Sequence, residues 1–368
     1  MTRLCLAHGG DLSEPSGGTD RVSAFAAGLD EQGNDVTIVV PESAGTLPDR
    51  LDNIETVEVS IPAGTRDINQ PVRAIRVARK AKQVARERGA RLQIEHSTLA
   101  GVADWIGCSR YVLDMHDLAH ASPLYGNLPF GTLVQQLIRR IEGRAIRNAA
   151  AIVTVTDRMA DRAAAEWGVP RRRFSVIANG YFPEKVMPYS ETETVAGRVV
   201  FLGTLYQKVN TDALVAIAHL PAVEELVVIG DGVRRTDLKQ ARDKNTPIRI
   251  TGRLPNEEAF RLLASAAIAV NPQHGSTLQR ASSPVKLYYY AALGRPMVLT
   301  EGPELADQLA NVGAARLVSP GGDFGAAVQA LISDTNHREA MADAAIAFGR
   351  KATWDRRIER MAEVHEVL

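Results

Sequence analysis

Stretches rich in β-branched and aliphatic residues alternate with helical patterns along almost the whole chain, and nothing else limits its fold so tightly. Leu4 to Ala7, Val36 to Val40, Thr56 to Ser60, Leu92 to Glu95, Tyr111 to Asp114, Ala151 to Val155 and Ser175 to Ala178 read as strands. Between them lie the helical stretches Arg21 to Gln32, Val72 to Arg88, Leu133 to Asn148 and Arg158 to Trp167. Strands joined by helical crossovers run parallel, and a parallel sheet must be covered on both faces. The pattern lapses near Asn179 to Val195, a polar stretch with prolines that reads as an interdomain linker. It then resumes with Arg198 to Leu202, Glu225 to Ile229, Ile248 to Thr251, Ala267 to Asn271, Met297 to Thr300 and Ala315 to Val318.

The expected architecture is therefore α/β, with two Rossmann-like, doubly wound parallel-sheet domains facing a central cleft. The first takes residues 1–185 and the second residues 186–353. At 368 residues the chain has enough length for two cores of ordinary size. Ligands of such sheets bind beyond the carboxyl ends of the strands, so the turns there are where chemistry is sought.

Residues 282–296, Ser-Ser-Pro-Val-Lys-Leu-Tyr-Tyr-Tyr-Ala-Ala-Leu-Gly-Arg-Pro, form the most informative of these turns. Pro284 starts a short amphipathic helix, Gly294 stops it, and Pro296 leads into the apolar strand beyond. Ser283, Pro284, Val285 and Lys286 then sit at a helix N-terminus. Free N–H groups, the helix dipole and a lysine favour a phosphate or diphosphate there. An ordinary capped helix has the same pattern. Three other strand ends carry small residues: Gly203-Thr204 with Lys208 nearby, Gly230-Asp231-Gly232, and Gly252 followed by Arg253 and Leu254. Four such turns in register support a nucleotide site along one domain face.

In the first domain, Gly17 and Gly18 precede a helix, in a loop longer than a dinucleotide fingerprint; flexibility or close approach of a ligand accounts for them equally. His96 and His116 follow neighbouring strands and so belong to the same sheet edge, with Asp117 beside His116; His8 is a weaker candidate. A lone histidine is more often structural than catalytic, but two at adjacent strand ends make the two readings about even for His116.

Several chemistries are excluded. The chain has no Walker A sequence, G-x-S-x-G elbow, H-E-x-x-H or Asp-x-Asp. A bound diphosphate would be neutralised by Lys208, Lys286, Arg253 and helix N-termini, without a metal. Cys5 and Cys108 have neither redox nor ligand spacing, which fits a reduced cytoplasmic setting. No apolar run suggests a leader or a membrane span.

Net charge is zero, which argues against a nucleic-acid partner. Charge is unevenly placed, though. Residues 1–65 hold three Lys or Arg against eleven Asp or Glu, and residues 66–173 hold nineteen against ten. Residues 72–91 alone carry eight cations and one acid. A solvated face explains this, as does attraction to an anionic membrane surface, which would make the protein peripheral there.

Taken together, Ser-Gly-Gly-Thr-Asp-Arg (16–21), Leu-Asp-Met-His-Asp-Leu (113–118), Val-Pro-Arg-Arg-Arg-Phe-Ser-Val-Ile-Ala-Asn-Gly (169–180), Phe-Leu-Gly-Thr-Leu-Tyr (201–206), Val-Val-Ile-Gly-Asp-Gly (227–232), Ile-Thr-Gly-Arg-Leu (250–254) and Ser-Pro-Val-Lys-Leu (283–287) resemble, in order and spacing, the GT-B glycosyltransferases of the large retaining family 4 type. The resemblance covers nearly the whole chain. It implies a sugar moved with retention, and without a metal cofactor, from a nucleotide-sugar such as a UDP- or GDP-sugar, held by the C-terminal domain. The acceptor, a glycan or a lipid-linked molecule, would lie on the N-terminal domain near His96 and Asp117. His116 matches the active-site histidine, Gly17 and Gly18 the loop approaching the diphosphate, and Arg253 and Leu254 the loop at the base. Trp354-Asp355-Arg356 matches the start of a last helix, 354–368, that crosses back to the first domain. Two departures stand out. Ala281 and Tyr289 replace a pair of glutamates eight residues apart, and Thr204 stands where an arginine is common. The alternative these departures raise is a catalytically silent GT-B protein that binds a partner or a glycan.

Overall fold

The computed structural model describes residues 1–14, 16–62, 70–122, 125, 130–241, 246–275 and 280–367. The chain divides into two compact units. Met1–Asn179, Ala281–Ser283 and Trp354–Leu368 make the first; Gly180–Arg280 and Pro284–Thr353 make the second.

The first unit is built on seven parallel strands: β1 (Arg3–Ala7), β2 (Asp35–Pro41), β3 (Glu55–Val59), β4 (Arg91–Glu95), β5 (Tyr111–Met115), β6 (Ala151–Thr154) and β7 (Phe174–Val176). Their order in the sheet is β3-β2-β1-β4-β5-β6-β7. Leu4 pairs with Val36 on one side and with Arg91 on the other, so the winding reverses between β1 and β4. Tyr111–Met115 is buried throughout, as a strand covered on both faces must be. The Gly17–Glu31 helix that follows β1 is capped by Ser16, whose Oγ accepts from Thr19 N at 3.0 Å. The C-terminal helix, Trp354–Glu366, packs on it. Trp354 meets the Phe25 ring edge-on at 5.6 Å, and a Cβ on Gly28 would lie 2.2 Å from Ile358 Cδ1. Only glycine admits the two helices so close.

The second unit has six parallel strands: β8 (Val195–Leu202), β9 (Glu225–Ile229), β10 (Ile248–Gly252), β11 (Ala266–Asn271), β12 (Met297–Thr300) and β13 (Ala315–Val318). The order β10-β9-β8-β11-β12-β13 repeats the winding of the first unit, with its reversal between β8 and β11. One core lies on each face of the sheet, the first built around Tyr288, Tyr290 and Leu263, the second around Phe201, Leu214 and Val328.

The stretch that reads as a linker is folded instead. Pro183–Val186 forms a helical turn with proline in its first turn, and Met187–Tyr189 adds a 3-10 turn. Tyr181 and Val186 are buried in the core built around Tyr288 and Leu263, and Tyr181 N donates to Ala352 O at 3.2 Å. Polar composition hid three large apolar side chains, Tyr181, Phe182 and Val186, that all turn inward. The first unit accordingly gives way to the second after Asn179, earlier than residue 185. Among the described residues, no helix is long and apolar enough to cross a membrane.

Candidate functional site

In the first unit, the carboxyl ends of three neighbouring strands bring ionisable side chains together. His8 follows β1, Glu95 ends β4, and His116 follows β5. Glu95 is buried; its Oε2 is hydrogen-bonded with His8 Nδ1, and its Oε1 lies 3.2 Å from His116 Nε2. Neither Glu95 Oε1 nor His116 Nε2 is aligned for a hydrogen bond, although both atoms are buried. Buried polar groups are normally hydrogen-bonded, so the pair stands out. Burial would raise the Glu95 carboxyl, but His8, by charge and by hydrogen bond, and Arg21 more weakly, hold the group below its ordinary range. Burial also lowers His116, against the pull of Glu95, and leaves its imidazole neutral near pH 7.

Gly18 faces this cluster. A Cβ there would meet His116 Cε1 and His8 Cε1, each at 3.5 Å, and Glu95 Oε1 at 3.7 Å. Any longer side chain would fill the space beside His116. Gly17 begins the same helix.

His96 sits next to His116, the rings edge-on at 5.6 Å. Its backbone is left-handed, at φ 80°, a costly conformation for a residue with a Cβ and one that concentrates at functional sites. Its Nε2 pairs with Asp117 Oδ1 at 2.9 Å. Burial lowers this imidazole, yet Asp117 overcomes that and pushes its pKa up to about 9. The adjacent histidines thus differ in charge at neutral pH.

Two buried arrangements hold this edge in place. Arg21 is fully buried and grips Asp114 through Nη2 at 2.7 Å and Nε at 2.9 Å; its Nη1 donates to Asn179 Oδ1 at 3.1 Å. Asn179 Nδ2 in turn donates to the Ser283 carbonyl at 2.9 Å. Glu142, fully buried on the Gly131–Asn148 helix, accepts from Ser97 Oγ at 2.6 Å, Ala119 N at 2.9 Å and His120 N at 3.0 Å. One carboxylate thereby ties together the turns that carry His96 and His116.

In the second unit the carboxyl edge is made of backbone and cations. Gly203 follows β8 at φ 133°, and Gly230 follows β9 at φ 142°. A Cβ on Gly230 would lie 2.1 Å from the Gly203 carbonyl oxygen. Lys286, in the first turn of the Val285–Ala292 helix, extends toward the same turn, its Nζ 3.0 Å from where a Gly203 Cβ would be. That ammonium lies 4.2 Å from the Phe201 ring centroid. It is half-buried, and the protein around it pushes its pKa down to about 7, with repulsion from Lys208 adding to the effect. No carboxylate pairs with it among the described residues.

Other predicted residues are placed elsewhere. Tyr289 is buried in the core, its ring 4.9 Å from Phe260 and 6.5 Å from Tyr181. Leu254 and Val285 pack against that core. Thr204 and Arg253 are exposed. Pro284 caps the short helix, whereas Ser283 belongs to the first unit. The chain therefore passes between units inside the Ser-Pro step.

Sequence reasoning missed Glu95, Arg21, Asp114, Asn179 and Tyr290. The Tyr290 hydroxyl accepts from Leu202 N at 2.9 Å and so steadies the Gly203 turn. Acids inside otherwise apolar strands, Glu95 and Asp114, were the available signal, because a carboxylate is not buried without partners. Among the described residues, no group of three or more His, Cys, Asp or Glu side chains could hold a metal ion.

Two sheets of this winding, with this glycine-lined edge, define the GT-B class of proteins. A family model described as "Glycosyl transferase 4-like domain" matches residues 16–180, and one described as "Glycosyl transferases group 1" matches residues 196–334. The chain belongs to the GT-B glycosyltransferases. A curated relative, the 2-deoxystreptamine glucosyltransferase of Streptomyces kanamyceticus, is 26% identical over 223 residues, which are 55% of this chain and 56% of that protein. The matched stretch thus spans just over half the length of that relative. Among solved structures, a sucrose-phosphate synthase from Thermosynechococcus elongatus aligns with TM-score 0.78 at 14% identity, covering 100% of this chain and 98% of the other. HepE from Anabaena, solved with UDP-glucose, aligns with TM-score 0.72 at 16% identity, covering all of both chains. At such identities the structural likeness is one of fold.

Proposed function

We propose that the chain is a retaining, metal-independent glycosyltransferase that moves a sugar from a nucleotide-sugar to a glycan or lipid-linked acceptor. The observation that carries this reading is Lys286. A half-buried ammonium without a carboxylate partner, beside a glycine turn at the carboxyl end of the central strand, is suited to an anion. In sugar transfer the bond from the anomeric carbon to the diphosphate oxygen breaks, and negative charge grows on the departing diphosphate. Lys286 and Lys208 stabilise that charge directly, where a metal would otherwise serve. That HepE was solved with UDP and with UDP-glucose supports a uridine donor here.

The His116 region is assigned to the sugar and the acceptor. A neutral imidazole beside a bare glycine offers a donor or acceptor to hydroxyl groups without attracting an anion. The protein would work in the cytoplasm, with the basic face of residues 72–91 against anionic lipid. Incubation with UDP-, GDP- and ADP-sugars tests the reading. Turnover persists in EDTA, and proton NMR shows the product keeping the donor's anomeric configuration. Inverted product or loss of turnover in EDTA contradicts it. The alternative, a silent binding protein, draws on Tyr289, which places a core aromatic where a carboxylate is usual. Absence of turnover with every donor, despite tight nucleotide binding, would favour that alternative.

A further inference from the structure

Large apolar side chains are left uncovered at one end of one helix of the first unit. On the Gly131–Asn148 helix, Leu133 and Leu137 are 63% and 58% exposed, and Phe130, at its start, is 80% exposed. Phe130 holds a left-handed backbone at φ 60°, which disfavours any residue with a Cβ. At 100° per residue, Leu133, Leu137, Arg140, Arg144 and Arg147 fall within about 80° of one another, so they form a single exposed stripe. The stripe is apolar in its first half and cationic in its second. The helix's one acid, Glu142, is fully buried, so no negative charge faces out from it. Arg144 and Arg139 already have partners, in Asp104 and Glu166. What the stripe leaves unsatisfied is therefore its apolar half.

Packing fixes where that apolar half stands. Gly101, on the Ser97–Trp105 helix, lies against Ile141; a Cβ there would be 2.3 Å from the Ile141 carbonyl oxygen. Asp104 reaches Arg144 and Asn148, so the two helices run in the same direction. The shorter one starts just after β4 ends, one turn before Gly101. By the same turn, Leu137 is level with Ser97, and the residues before it stand out past the shorter helix. They do so at the carboxyl edge of the sheet, the edge that carries His96 and His116. The Gln70–Arg88 helix, with its many cations, also packs on the Ser97–Trp105 helix. All three therefore cover one face of the sheet.

We propose that Phe130, Leu133 and Leu137 enter the interfacial zone of a bilayer that carries anionic lipid. An amphipathic helix lying in that zone puts its apolar side chains at the boundary of headgroups and acyl chains, while arginines on the same stripe reach up to the phosphates. A stripe with leucines at one end, arginines at the other and no exposed acid is complementary to such a surface. Among the described residues no helix is long and apolar enough to cross the bilayer, so the contact is superficial. The inference rests on the peripheral placement proposed above and adds an apolar anchor to the basic stretch. It also turns the edge with His96 and His116 toward the lipid, which favours a lipid-linked acceptor over a free glycan. Vesicle binding is measured without any donor, so failure of this contact and failure of sugar transfer are separate results.

The test floats the full-length chain with vesicles of phosphatidylglycerol in phosphatidylcholine, at low salt and in about 0.5 M salt, where charge attraction is screened. The variants are L133Q/L137Q, which keeps every charge, and L133F/L137F, which keeps the apolar surface; both positions are exposed, so folding has little to lose. Binding in high salt should weaken roughly tenfold or more in L133Q/L137Q and persist in L133F/L137F. An environment-sensitive fluorophore is also placed on Leu137→Cys, the two native cysteines being buried. Its emission should move to the blue as vesicles are added. Undiminished binding by L133Q/L137Q, no flotation of the native chain, or a blue shift that follows protein concentration instead of lipid, as a second copy on this face would give, overturns the proposal.

Discussion

The two carboxyl edges come from the same winding and are furnished in opposite ways. In the first unit, side chains do the work: Glu95 is held between His8 and His116, and Arg21 grips Asp114, all in a buried setting. In the second, the backbone is bare at Gly203 and Gly230, and the charge of Lys286 is left unbalanced. A compensated cluster orients neutral hydroxyl groups; an uncompensated cation waits for an anion. On the function proposed above, the first edge serves the sugar hydroxyls and the second the diphosphate.

That contrast can be broken at either end. The largest effect is expected at His116. His116→Ala removes the group facing Gly18 and should reduce sugar transfer about 10²- to 10⁴-fold, the usual worth of a positioned acid–base group, with an unchanged melting curve. Steady-state rates with the preferred donor measure it.

Gly230→Ala attacks the second edge through its backbone. The added Cβ would overlap the Gly203 carbonyl, and the φ of 142° suits only glycine. Destabilisation of about 2–4 kcal/mol is expected, read by denaturant melting; Gly18→Ala, where the added carbon meets only ordinary contacts, should cost far less stability while impairing transfer.

The smallest effect is a pH dependence. Lys286 has a lowered folded pKa of about 7, so the unfolded chain binds more protons between there and the ordinary lysine value, and stability rises with pH across that window. On the function proposed above the diphosphate binds the ammonium form, so affinity should fall above pH 7, by up to roughly tenfold per pH unit, until the lysine is neutral in the complex as well. Lys286→Arg should flatten that profile, and calorimetric titration at several pH values checks it.

Much of the fold is legible in the sequence. Strands buried on both faces read as continuous apolar runs, so β9 and β12 are expected where they occur, and the edge strand β13 is also found at its expected residues. The site is only half legible. Gly18, His116, Gly203 and Lys286 show themselves as turn residues at strand ends. Glu95, Arg21 and Asn179 do not, because their roles exist only once distant segments meet. Tyr289 and Tyr290 show the limit most plainly. Neighbours on a helix point about 100° apart; both rings enter the same core, and packing sets that Tyr289 meets Phe260 while the Tyr290 hydroxyl reaches Leu202 N.

Calorimetric titration of UDP and GDP into Lys286→Ala and His116→Ala bears most directly on the division of labour between the edges. The account predicts that the preferred nucleotide binds Lys286→Ala about 10- to 150-fold more weakly, the loss of one charge-assisted contact of about 1.5–3 kcal/mol, and binds His116→Ala within about twofold of the native chain. Equal affinity for Lys286→Ala and the native protein, or a large loss confined to His116→Ala, would contradict it.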